Sequence, residues 1–323
     1  MAARSAIVVL GWLLLAGCGN GGAPASGSAL ASGASDDADP TFRIVGYVTD
    51  KGVTASEEQV AALTHLNYAF ALPQGDGTLL PIANPWKLES YVELAHAHGV
   101  KVLISIGGWG WDAEFEELAV SPESRATFVS AVIALVRDYG LDGADVDWEY
   151  PDPGPSSEAF TALMGELRAA LPAGTLLTAA VAAVGPGADG VGEEVFDLVD
   201  FLNLMAYDGA GAQHAPMAYA QDSLAYWADR GLPAAQSVLG VPFYARPSEV
   251  SYRQLVDADP AAAQADEIDF HTIAVNYNGP ATIGEKTRLA MDRASGIMIW
   301  TITDDTSDET SLLRAIRAAL DGG

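Results

Sequence analysis

Three carboxylates stand at every second position in LDGADVDWEYP, residues 141–151: Asp145, Asp147 and Glu149, with Ala144, Val146 and Trp148 between them. Side chains on a β-strand alternate between faces, so the three acids share one side, with neighbours ~6.5 Å apart. Repulsion at that spacing favours keeping at least one of them protonated near neutral pH. A carboxyl group that keeps its proton is a general acid. A cation loop is the first alternative, and an EF-hand would need Gly at its sixth position and Glu at its twelfth. Counting from Asp145, those positions hold Tyr150 and Ser156, so that reading fails. The apolar residues between the acids argue against a solvated edge strand and for an outward face packed on helices. Acids turned inward are costly without partners, so the cluster calls for a functional reason.

Such acids need a strand end to hold them. Eight apolar, β-rich runs recur from residue 41 onward, at 42–48, 65–72, 101–108, 141–149, 176–184, 200–208, 237–245 and 296–303. Helical patterns lie between them. SPESRATFVSAVIALVRDYG is the clearest, with Ser121 as cap, Pro122 in the first turn and Gly140 to close it. SSEAFTALMGELRAAL, YAQDSLAYWADRG, ATIGEKTRLAMDRASG and ETSLLRAIRAAL read likewise. The alternation predicts an α/β fold with a parallel sheet covered by helices, and eight units fit a (β/α)8 TIM barrel. A doubly wound open sheet would show a glycine-rich phosphate loop after its first strand, and GYVTDKGV is not one. In a barrel the working residues sit at the C-terminal rim, where Glu149, Tyr207 with Asp208, and Trp300 fall in this reading.

The chain has 323 residues, half of them apolar, and a formal charge of −27. That balance argues against nucleic acid and anionic lipid surfaces as partners. No zinc-type Cys cluster exists, the five histidines form no HExxH pattern, and neither metal nor cofactor is expected. His214, in the loop after the sixth strand, reads as a surface histidine without a role.

The N-terminus reads as a targeting segment. Arg4 precedes an apolar run from Ala6 to Ala16, the length of a signal-peptide core. Leu15-Ala16-Gly17-Cys18 resembles the lipobox of bacterial lipoproteins, which implies removal of residues 1–18 as a signal and lipidation of Cys18, the one cysteine present. The protein would then be exported, anchored by lipid at a bacterial surface or outer membrane, or secreted. Fifteen of the 22 residues from 19 to 40 are Gly, Ala or Ser, a flexible linker reaching roughly 25 Å. Residues 41–323 form the expected catalytic domain.

DGADVDWE, residues 142–149, resembles the DGxDxDxE signature of family 18 glycoside hydrolases, the chitinases and endo-β-N-acetylglucosaminidases. SIGG at 105–108 is similar to the family's SxGG, MAYD at 205–208 to its MxYD, GVPFYAR at 240–246 to its seventh-strand segment, and Trp300 to its eighth-strand tryptophan. These motifs stand in order at barrel-strand spacing and span nearly all of 41–323.

The resemblance implies substrate-assisted hydrolysis, in which the sugar's own 2-acetamido oxygen is the nucleophile. An ordinary retaining glycosidase needs two carboxyls flanking the bond, and Asp147 and Glu149 project from one side of one strand. Glu149 would protonate the leaving oxygen and then activate water. Asp147 would bind the acetamido N–H and stabilise the oxazolinium, with Asp145 coupled to it. Tyr207 would donate to the acetamido carbonyl, and Ser105 would support the aspartates. Trp300, Tyr47, Phe70 and Trp109 would stack on sugar faces, while Trp148 belongs to the core; Phe70 reads equally as core. Tyr150, Met205, Asp208 and Tyr244 line the site by family analogy.

Only about 50 residues separate the seventh and eighth strands, so the α+β insertion of many processive family members is not expected. A single domain with a shallow, open cleft and endo-type cutting follows, acting as a monomer on chitin or N-acetylglucosamine oligosaccharides. MAYDGAGAQHAP also lacks the aromatic that often follows MxYD. An endo-β-N-acetylglucosaminidase acting on N-glycans is the alternative within the class. A lectin is the alternative outside it, although lectins of this family usually lack the acid that Glu149 supplies.

Overall fold

All eight predicted runs become strands, each bounded near its predicted residues. They are β1 (Arg43–Thr49), β2 (His65–Ala71), β3 (Lys101–Gly107), β4 (Gly143–Asp147), β5 (Leu176–Ala182), β6 (Phe201–Met205), β7 (Ser237–Pro242) and β10 (Gly296–Trp300). The structure is a computed structural model that describes residues 42–322. All eight strands are parallel and close into a barrel in the order β1-β10-β7-β6-β5-β4-β3-β2. The helices are α1 (Glu57–Ala61), α2 (Pro85–Ala97), α3 (Asp112–Val120), α4 (Pro122–Tyr139), α5 (Pro155–Ala170), α6 (Pro186–Asp189), α7 (Met217–Asp229), α8 (Tyr252–Ala258), α9 (Pro280–Arg293) and α10 (Leu312–Asp321). The signal segment, the lipobox Cys18 and the whole linker expected at 19–40 lie outside the described residues.

The alternation read from the sequence divides the apolar residues into two clusters. Outward residues such as Ile44, Val48, Ala144, Val146 and Trp148 join the layer between strands and helices. Trp148 stacks on Phe115 at 5.2 Å and donates from Nε1 to Asp112 at 2.8 Å, which confirms it as core. Inward residues Val45, Tyr47, Ala69, Ala180, Phe201, Met205, Val238 and Met298 fill the barrel itself. α4 begins and ends as its capping residues dictate, with Ser121 Oγ accepting from the Ser124 N–H and Gly140 in the left-handed region at φ 64°.

Two features depart from the expectation. Helices α2 and α3 arise from segments with no strong apolar period, and tertiary packing of Leu88, Tyr91, Phe115 and Leu118 holds them. The excursion between β7 and β10 carries α8 and also a two-stranded antiparallel hairpin, β8 (Glu267–Phe270) with β9 (Ile273–Asn276). Four-residue strands are too short to announce themselves by alternation.

Candidate active site

Asp145 and Asp147 point into the barrel from β4, and the strand ends there. Glu149 therefore sits two residues into the following loop and not on the strand as predicted. The packing that admits it depends on two glycines. A Cβ on Gly107 (φ 110°) would lie 2.4 Å from the Asp147 carbonyl oxygen, and one on Gly108 (φ 88°) 2.6 Å from the Phe70 ring. With no side chain there, the Gly108 N–H donates to the Asp147 carbonyl at 2.8 Å and ties β3 to the strand of acids.

The floor of the site is a polar layer inside the barrel. Asp145 Oδ2 accepts from Tyr47 Oη at 2.7 Å and Ser105 Oγ at 2.8 Å; its Oδ1 accepts from Thr178 Oγ1 at 2.6 Å and Asn203 Nδ2 at 3.2 Å. Ser105 and Thr178 are its register partners on β3 and β5, so sheet pairing itself delivers two of the donors. Burial still raises the Asp145 carboxyl somewhat, against the pull of these four donors. Asp147 is buried too, but its Oδ1 has no hydrogen-bond partner. Burial, then the charges of Glu149 and Asp145, push Asp147 well above the usual carboxyl range. Glu149 is raised by burial and by the charge of Asp208, with Tyr150 pulling the other way.

Above this floor opens a cleft of about 800 Å³ at the C-terminal rim of the barrel. It is lined by Phe70, Trp109, Asp147, Glu149, Tyr150, Met205, Tyr207, Asp208, Tyr244 and Trp300, which brings ten of the predicted site residues together. Phe70 reaches it through a bulge. The β2–β3 register slips between Ala69 and Ala71, so Phe70 turns inward beside Ala69 and stacks on Trp300 at 5.6 Å and 25°. Trp109 stands 79% exposed at the cleft edge, an indole face with no partner in the fold. The Tyr207 hydroxyl reaches only the Met298 sulfur, at 3.9 Å, a weak acceptor that leaves the donor available. Burial above all keeps that phenol protonated.

Two expectations need correction. Tyr47 is not a sugar platform: it is buried beneath Trp300, ring centroids 5.5 Å apart, and its hydroxyl serves Asp145. Its position on β1 lies inside the barrel below the rim. His214 is not on the surface but 2% exposed, with Nδ1 3.0 Å from Asp208 Oδ1. Asp208 does line the cleft, but its carboxylate is already held by Arg246, whose Nε and Nη2 donate to its two oxygens at 2.8 and 2.6 Å. Burial alone would raise Asp208, yet hydrogen bonds from Arg246, His214 and Tyr244 hold it well below the usual range.

Arg246, Glu249 and Asp304 also line the cleft and were missed. Arg246 ends the GVPFYAR segment and could have been found there; Glu249 and Asp304 sit in loops with no local signal. Thr178 and Asn203, which complete the support of Asp145, look like ordinary strand residues in sequence.

The residues from 43 to 305 match the family described as "Glycosyl hydrolases family 18". The chain belongs to glycosyl hydrolase family 18. A family 18 chitinase from the chitin utilization locus of Flavobacterium johnsoniae superposes with a TM-score of 0.75 at 28% identity, covering 87% of this chain and 94% of that one. A Bacteroides thetaiotaomicron chitinase gives 0.77 at 27% identity, covering 86% and 96%. In sequence, the chain is 32% identical over 223 residues to a probable endochitinase of Caenorhabditis elegans and 28% identical over 255 residues to chitinase 1 of Aphanocladium album. Those matches span 57% and 62% of this chain but only 36% and 60% of the relatives' own lengths.

Proposed function

We propose that this family 18 protein is a chitinase that cuts within β-1,4-linked N-acetylglucosamine chains, using the substrate's acetamido group as nucleophile. The observation that carries the reading is the contrast between the acids of β4 and its loop. Asp145 has four donors, Asp147 Oδ1 has none, and Glu149 stands in the cleft with a raised proton affinity.

Glu149 gives its proton to the glycosidic oxygen as the C1–O bond breaks, and the acetamido carbonyl oxygen closes on C1 to form an oxazolinium ion. Asp147 accepts the acetamido N–H. Its buried carboxyl resists ionisation before substrate binds; having passed its proton to water of the open cleft, the carboxylate is then stabilised by the cation, so stabilisation grows as charge develops. Tyr207, with a free hydroxyl, donates to the acetamido oxygen and aligns it. Glu149, now a carboxylate, takes a proton from water, which opens the ring at C1 with net retention. Trp300, Phe70 and Trp109 offer ring faces to the sugars. Similarity to chitinases supports chitin over N-glycans as the polymer.

The test is hydrolysis of soluble chito-oligosaccharides and of a high-mannose glycoprotein, with Glu149→Gln alongside. The reading expects cleavage of the oligosaccharide alone and loss of at least about a hundredfold in kcat for Glu149→Gln. Release of the N-glycan instead would move the protein to the endo-β-N-acetylglucosaminidases, and a fully active Glu149→Gln would remove the acid.

A further inference from the structure

The loop after β6 holds a buried histidine that no step above uses. His214 Nδ1 lies 3.0 Å from Asp208 Oδ1 and 3.4 Å from the Asp208 backbone nitrogen, and its Nε2 is buried without a polar partner. The two ring tautomers are unequal there. With the proton on Nδ1, the ring donates to the carboxylate at 3.0 Å, gives up the longer 3.4 Å contact from the Asp208 backbone N–H, and leaves an acceptor unfilled at Nε2. With the proton on Nε2, Nδ1 accepts from the Asp208 backbone N–H at 3.4 Å, but a buried Nε2–H goes unpaired and the Nδ1 lone pair faces a carboxylate oxygen at 3.0 Å. The shorter bond to a charged acceptor outweighs the long one from the amide, and it removes a lone pair facing a carboxylate, so the first tautomer wins.

We propose that His214 is a positioning residue for the hydrolysis: as the Nδ1–H tautomer it fixes the Asp208 carboxylate, which aligns Arg246 in the cleft and holds a negative charge near Glu149. The proposal rests on the hydrolytic reading given above.

Three observations support the role. Asp208 occupies the left-handed region at φ 55°, a conformation that a non-glycine residue keeps only where neighbours hold it. The holders are Arg246 on one side and His214 on the other. The histidine itself is anchored: its carbonyl accepts from the Gly209 N–H at 2.8 Å, and the next carbonyl, of Ala215, accepts from Lys286 Nζ at 2.7 Å and Asn278 Nδ2 at 3.0 Å. The Tyr244 ring packs against the imidazole at 5.2 Å.

The charged and titratable groups around His214 are thus Asp208, Arg246 and Tyr244, with Lys286 of α9 behind the loop and Glu249 bound to the far side of Arg246. Loosening Asp208 weakens its repulsion of a Glu149 carboxylate, so Glu149 gives up its proton at lower pH.

Two measurements test this. Nitrogen-15 NMR of the histidine ring should show His214 protonated at Nδ1 and bare at Nε2; the reverse tautomer overturns the proposal. On a soluble chito-oligosaccharide, His214→Phe should lose about tenfold in kcat/KM, as expected for one hydrogen bond to a charged group. Its basic limb should also move to lower pH. His214→Asn, whose amide N–H stands near the place of Nδ1, should keep both near wild type. A folded His214→Phe with unmoved kcat/KM and pH profile overturns the role, as does a His214→Asn no better than the Phe variant. A wild type inactive on the oligosaccharide would instead overturn the hydrolytic reading, while the NMR arm reports on the ring separately.

Discussion

Asp145 and Asp147 are two residues apart on one strand, yet their surroundings separate them. Four donors converge on Asp145, so it is the natural site of the negative charge; Asp147, buried with Oδ1 bare, is the natural site of the proton. The consequence for stability has a definite sign. Its folded-state proton affinity is raised above that of the unfolded chain. Below about pH 3.9 both states are protonated and nothing is lost. Above it the unfolded chain ionises more readily, so stability falls with rising pH until the folded group ionises as well. Asp147→Asn removes that cost. Thermal melts should show the variant more stable than wild type at pH 7 by about 1–3 kcal/mol and the gain vanishing near pH 3, alongside lost hydrolysis. Equal stability at both pH values would mean that Asp147 is not held against its charge. The alternation of acids announced this cluster in the sequence. What it did not announce is which acid is satisfied, because the donors come from four other strands.

Strands carry the site, and loops finish it. β4 stops at Asp147, which leaves Glu149 on the following loop, and a one-residue bulge in β2 turns Phe70 into the cleft. The periodic pattern located all eight barrel strands because Val, Ile, Leu and Ala fill both their faces. It missed the bulge, since a slip of register depends on the neighbouring strand, and it missed α2 and α3, whose helicity comes from packing. Asp305 shows an element stabilised from outside itself. Its carboxylate accepts from the backbone N–H groups of Thr306, Leu312 and Leu313 and from Ser311 Oγ, all at 2.7–2.9 Å, and so closes the first turn of α10. Asp305→Ala leaves those buried donors unpaired and should cost about 3 kcal/mol in chemical denaturation. A loss below about 0.5 kcal/mol would show that α10 is held by its apolar face alone.

At the scale of the described chain, residues 42–322, the closed sheet makes an acidic cleft useful. Parallel closure gathers side chains from β2, β3, β4, β6, β7 and β10 and their loops at one rim, where a single strand could supply only one wall. Ten of the residues read from the sequence meet there, because motifs at strand ends mark a rim whatever the loops do. Tyr47 and His214 were misread for the same reason: depth below the rim depends on neighbours distant in sequence. The central claim is that these walls set up the substrate's own amide to attack. It is tested most directly with aryl chitobiosides whose N-acetyl group next to the aryl bond carries none, one, two or three fluorines. Each fluorine weakens the carbonyl oxygen as a nucleophile without altering the leaving group. The account predicts a steep fall in kcat/KM along the series; a flat profile would contradict it.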